Sequence, residues 1–189
     1  MSDLATANDV STIPVREALR RLEAERLVES VANKGVRVAQ LTVEDLADGY
    51  QLRTIIEVEA VRLAVPNLID ADHVHLNGLL DEMTRHTKSG DVDALHGAHR
   101  ELHMSVYRRA GSPWLEHVIS GLWDHTERYR RLASQWLLTT DDMAARHRKV
   151  VDALFCGDPE TAVQALRDHF EAPQRHLHDR IRAQSGAGD

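Results

Sequence analysis

A chain of 189 residues, 28% of them charged and 42% hydrophobic, is long enough to bury a core and too apolar to be disordered. With 4% aromatics, 10 Gly and 5 Pro it is a poor candidate for a β-sandwich or barrel, and its single Cys, Cys156, excludes a disulfide framework and Cys-rich zinc modules while fitting a cytoplasmic location. A formal net charge of -7 excludes a basic nucleic-acid coat protein, and no apolar run reaches the roughly 18 residues of a membrane span.

Residues 3–10 read as a short helix that Asn8-Asp9 breaks. Ser11 or Thr12 then caps a second helix, with Pro14 in its first turn, running to Glu25. Val15, Leu19 and Leu22 share one stripe of it, while Arg16 and Arg20 sit four apart on another. Two short strands, 27–30 and 36–38, flank a turn at Ala32-Asn33-Lys34-Gly35. Helix, turn, helix and two-stranded wing make a winged helix-turn-helix, which lays its second helix in the major groove. The DNA-contacting candidates are Ser11, Thr12, Arg16, Arg20, Lys34 and Gly35. The plain alternative is an amphipathic helix with solvated arginines.

The composition changes near residue 40. Residues 1–40 carry six basic and six acidic side chains, so the acidic excess belongs entirely to the remainder. We divide the chain into a winged domain over 1–40, a helical domain over 41–182 and a loose tail over 183–189. Thr42 with Glu44 and Asp45 is a helix start, and six helices are predicted at about 43–65, 71–88, 91–110, 113–138, 140–156 and 159–182. Pro66, Gly90, Gly111-Ser112-Pro113 and Asp158-Pro159 punctuate them. The fold class is mainly α.

There are 12 histidines. His99 and His103 project from one face of the third of these helices, among Leu95, Leu102, Val106 and Tyr107. His147 shares its face with Val150, Val151 and Leu154, and His169 shares its own with Ala162, Ala165 and Leu166. Taken singly, each reads as a core histidine bonded to a carbonyl. Four of them on three helices point to a metal site built between facing helices. His73, His75, His86, His96, His117, His176 and His178 read as peripheral, and His125 is a reserve ligand.

The run Val10-Ser11-x-x-Pro14-Val15-Arg16-Glu17-Ala18-Leu19-x-x-Leu22-x-x-Glu25-x-Leu27-Val28, followed by Gly35-Val36-x-Val38, resembles the DNA-binding domain of GntR-family bacterial repressors. It departs from the family pattern at Thr12 and Ile13, which stand where Arg and Thr are usual, and at Arg26, which stands where Gly is usual. The family also has about 30 further residues in front that carry the module's first helix, which implies weak or absent DNA binding for a chain that starts at Met1. Leu52-Arg53-x-x-x-Glu57, His99-x-x-Leu102-His103, Ala110-Gly111-Ser112-Pro113 and Arg146-His147 with His169 resemble the FCD effector-binding domain of the FadR subfamily.

That resemblance implies an all-helical bundle of about six helices, a homodimer on palindromic operator DNA, and a divalent metal held by an Asp and three His. Here His103, His147 and His169 fall on the His positions, and His99 stands where the family usually has Asp. Zinc or nickel is the expected ion. Four neutral imidazoles leave the ion its full double charge, and this calls for an anion, a small carboxylate effector. Arg53 either clamps that carboxylate or pairs with Glu57. The expected function is a ligand-responsive transcription regulator, not an enzyme. A metallohydrolase and a DNA-free sensor are the alternatives, and Glu101, the acid nearest the histidines in sequence, points away from them by helical phase.

Overall fold

The computed structural model describes residues 2–32, 35–137 and 142–185. Met1, Lys34, residues 138–141 and 186–189, and the side chain of His176 lie outside the described residues. The chain divides into two compact units, 1–41 and 42–189.

In the first unit, α1 (Ser2–Ala7) and α2 (Thr12–Ala24) precede a two-stranded antiparallel sheet of β1 (Val28–Val31) and β2 (Gly35–Val38), in which Val28 faces Val38 and Val31 faces Gly35. β2 begins one residue before the expected 36–38, and β1 is shifted by one residue from the expected 27–30. The cause is the end of α2. The Leu27 amide reaches back to the Leu22 carbonyl at 2.8 Å and the Arg26 amide to Glu23 at 3.0 Å, so the helix closes in a Schellman motif and the Leu27 amide is taken before the strand begins, while its carbonyl accepts the Ala39 amide at 3.0 Å. That motif puts Arg26 at φ +57°, a left-handed conformation that suits Gly. Arg26→Gly is therefore expected to stabilise this unit by about 0.5–1 kcal/mol, net of the entropy a glycine adds to the unfolded chain, as read from chemical denaturation. Along α2 only Val15, Leu19 and Leu22 are shielded, all half-buried, which leaves the rest of its surface exposed.

The second unit is helical: α3 (Val43–Ala64) with a 3-10 turn at Val65–Asn67, α4 (Asp70–Ser89), α5 (Val92–Arg108), α6 (Pro113–Leu137), α7 (Asp142–Leu154) and α8 (Pro159–Ser185). Its starts are capped locally. The Thr42 hydroxyl accepts the Asp45 amide at 3.1 Å, the Asp91 carboxylate the Ala94 amide at 3.1 Å, and Asp158 the Thr161 amide at 3.1 Å. Pro66 begins the 3-10 turn that closes α3, and Gly90 ends α4 at φ +72°. α3 packs on α8, α6 and α5, while α4 packs on α5 and α7, and α7 on α8. The core between them holds Leu76, Leu80, Met83, Leu95, Leu102, Tyr107, Ile119, Trp123, Leu154 and Leu166.

α6 is tied to the start of α3. Asp45 accepts from Tyr129 at 2.6 Å and from His125 at 2.9 Å, while the Tyr129 oxygen receives the Thr42 amide at 3.3 Å. Burial works against the Asp45 charge, but the bonds from Tyr129 and His125 outweigh it and hold the carboxyl below its usual range.

Candidate functional site

α5, α7 and α8 bring four imidazoles together. α5 contributes His99 and His103 from successive turns of one face, α7 contributes His147 and α8 His169. One ligand nitrogen of each lies within 4.8 Å of the other three. His103, His147 and His169 are 3%, 2% and 8% exposed. The ring centres of His147 and His169 are 4.2 Å apart, those of His99 and His147 4.6 Å, and those of His99 and His103 4.9 Å. Trp123 of α6 closes the group, 5.0 Å from His103 and 5.2 Å from His99.

The hydrogen bonds behind the rings decide which nitrogens face inward. His147 Nδ1 is 2.7 Å from the Met143 carbonyl, which only accepts, so Nδ1 carries the hydrogen and Nε2 the lone pair. His103 Nδ1 is 3.0 Å from the Tyr107 hydroxyl, and that hydroxyl donates its own hydrogen to Glu57 in a short bond. His103 Nδ1 must then be the donor, and its Nε2 is also bare. The two bare nitrogens face one another at 3.2 Å. Two lone pairs at that distance repel unless a cation lies between them. Zinc–nitrogen bonds of about 2.0–2.1 Å at a tetrahedral angle would put two ligands about 3.3 Å apart. His169 Nδ1 is buried with no protein partner. The donor set therefore fits a divalent ion.

A proton is a poor substitute for that ion. Burial pushes His147 down to about 4. Burial, with the other rings of the cluster behind it, holds His99, His103 and His169 well below the usual imidazole range. The buried guanidinia of Arg53 and Arg130 act in the same direction on His103.

Glu57 organises the surroundings. Its Oε1 accepts from Arg53 Nε at 2.6 Å and Trp123 Nε1 at 3.1 Å, and its Oε2 from Arg53 at 3.3 Å and from the Tyr107 hydroxyl. Arg53 and Glu57 are 2% and 0% exposed. The Arg53 guanidinium lies against Tyr50, Trp123 and Phe170, with Trp123 nearest at 4.4 Å. Arg130 stacks on the same Trp123 at 4.2 Å and bonds Glu127 at 2.8 Å, and burial followed by repulsion from Arg53 lowers it to about 10. Arg53 is thus paired with Glu57, and Arg130 with Glu127, which also accepts from Arg131 at 3.0 Å, while the four imidazoles include no carboxylate of their own.

Of the two roles open to Arg53 in the sequence, the structure displays the ion pair with Glu57. His96, expected to be peripheral, is instead buried at 8% exposure, with Nδ1 3.3 Å from Glu127 and Nε2 without a partner. The helical phase of α5 could not reveal this, because α6 covers that flank. His125, the reserve ligand, is spent on Asp45. Glu101 bonds Ser105 at 3.0 Å and Arg108, away from the cluster. Tyr107 follows His103 by one turn and was visible as a neighbour, whereas Trp123 and Arg130 carried no local signal. In the first unit, Ser11, Thr12, Arg16 and Arg20 are exposed on and beside α2, and Gly35 is exposed at φ +87°. Arg20 is 3.4 Å from Glu17, a loose pair.

Residues 48–172 match the FCD domain family, and residues 1–38 match the bacterial regulatory proteins of the gntR family. A probable D-xylose utilization operon transcriptional repressor of Paenarthrobacter nicotinovorans is 35% identical over 90% of this chain and 74% of its own. Among solved structures, McbR/YncC of E. coli superimposes with a TM-score of 0.80 at 23% identity, over 95% of this chain and 85% of that one. A metal-free FCD domain superimposes with a TM-score of 0.63 at 15% identity, over 77% of this chain and 99% of that one. At those identities the two structures speak for the fold alone.

Proposed function

Because the chain belongs to the GntR family of bacterial transcriptional regulators and carries its FCD effector-binding domain, we propose that its four histidines hold a divalent metal to which a small carboxylate effector binds. Regulators of this family bind operator DNA, are typically dimeric and are not enzymes. The observation that carries the metal reading is the pair of bare Nε2 atoms of His103 and His147 at 3.2 Å. Zinc and nickel suit imidazole donors best.

The effector follows from charge. A dication on four neutral rings keeps its double charge in a buried place, where Glu57 and Glu127 are already committed to arginines, so an anion stabilises it. Arg53 contributes to holding that anion by dividing its donors between Glu57 and the ligand. Ser11, Thr12, Arg16, Arg20, Lys34 and Gly35 form the DNA-contacting face of a homodimer on a palindromic operator, in the cytoplasm. Effector binding changes operator affinity because the two dimer states bind the carboxylate unequally.

Metal analysis after purification without chelators tests the site. The wild-type chain is expected to carry zinc or nickel, and His103→Ala to lose most of the metal together with citrate binding. A chain that retains no metal, with His103→Ala changing neither metal uptake nor citrate binding, overturns the reading.

A further inference from the structure

Among the described residues, two of the four imidazoles have a hydrogen-bond partner behind the ring. His147 is fastened by the Met143 carbonyl and His103 by Tyr107. His99 packs its ring against Trp123, His103 and His147, and His169 has a buried Nδ1 without a partner. The fastening of His147 is backbone to side chain within one helical turn and comes with α7. The fastening of His103 is different, because a hydroxyl can donate or accept and would suit either tautomer.

Glu57 removes that freedom. Its two oxygens take two bonds from Arg53, one from Trp123 and one from Tyr107, so the carboxylate cannot turn and the Tyr107 hydrogen is committed to it. A phenol keeps its hydrogen at neutral pH, and here that hydrogen is directed at Glu57. Only an oxygen lone pair is then left to face His103. We propose that Tyr107, pinned by Glu57, is the positioning residue that fixes His103 as the Nδ1–H tautomer, so that His103 and His147 form a preset pair of Nε2 donors to which His99 and His169 are gathered around the ion. This deepens the metal reading above and rests on it. In its absence the His103 hydrogen is free to sit on Nε2, where it blocks ligation until it moves.

The experiment is a side-chain 1H–15N correlation spectrum of the metal-free full chain above pH 7, followed by cobalt(II) titration of the wild type and Tyr107→Phe. Wild-type His103 is expected to be protonated at Nδ1 and bare at Nε2. In Tyr107→Phe the hydrogen redistributes toward Nε2 and cobalt affinity falls about 10–100-fold, while the His147 tautomer and the helical circular dichroism stay as they were. A wild-type His103 protonated at Nε2 overturns the proposal, and so does a Tyr107→Phe chain with unchanged tautomer and affinity. If the variant does not fold, the wild-type spectrum still decides. A wild-type chain that takes up no cobalt at all overturns the metal reading instead, and the two failures are distinct because the tautomer is read with no metal present.

Discussion

Glu57→Ala is expected to cost about 3–5 kcal/mol, the usual penalty for leaving one member of a buried ion pair unpaired. The structural reason is that Arg53, 2% exposed, would keep its charge among Tyr50, Trp123 and Phe170 with no carboxylate beside it. Tyr107 and Trp123 would lose their acceptor as well. Against a typical domain stability of about 5–15 kcal/mol, such a loss leaves a domain at the low end of that range partly unfolded at ordinary temperature. Burial opposes the Arg53 charge, and Glu57 is the first of the groups that restore it. Removing both charges with side chains of similar volume, Arg53→Met with Glu57→Leu, should recover the part of the loss that comes from the stranded charge, while Tyr107 and Trp123 stay without their acceptor. Urea unfolding of the three proteins measures this, and a Glu57→Ala penalty below about 1 kcal/mol would show that water reaches the pair.

The second large effect is acid sensitivity of the metal-free protein. His147 is held at about 4 in the folded chain, against 6.5 as its ordinary value. The folded form therefore stays neutral while the unfolded form takes up a proton as the pH falls below about 6.5. The sign follows: stability is full above that value and declines on acidification, by about 3 kcal/mol from His147 alone by pH 4. His99, His103 and His169 shift in the same direction and steepen the decline. Bound metal adds stability at neutral pH, about 4 kcal/mol at a thousandfold excess over its dissociation constant, and acid removes that contribution because protonated imidazole cannot ligate. Thermal melts of chelator-treated and metal-loaded protein from pH 7.5 to 4.5 measure both. A chelator-treated melting temperature that stays level over this range would contradict the burial of the cluster.

The helices were largely legible because their signals are local. A Thr42 hydroxyl reaching the Asp45 amide, a Pro at the start of α8 and a Gly at the end of α4 act within four residues of themselves. The apolar faces carrying His99 with His103, His147 and His169 follow from helical periodicity alone. Arg53 with Glu57 was legible as one of two alternatives, since four residues is one turn. The first wing strand slipped by one because the Leu27 amide serves the end of α2, a detail of capping that alternation does not record.

What the sequence could not convey is partnership across distance. His96 and Glu127 are 31 residues apart, and only the packing of α6 over α5 turns a polar histidine into a buried one. Glu57 meets Trp123 and Tyr107 from helices 66 and 50 residues away. By itself, the sequence determined the family, through motifs that resemble it, and the run of helices and the four histidines on inward faces, because caps and a 3.6-residue period are properties of neighbouring residues. The tertiary structure alone decided that Glu57 takes the Tyr107 hydrogen and so leaves His103 bare at Nε2, which charges are buried together, and that two lone pairs meet at 3.2 Å. Those depend on atoms about 3 Å away on another helix, and hydrogen-bond direction and desolvation are settled only once such atoms are in contact.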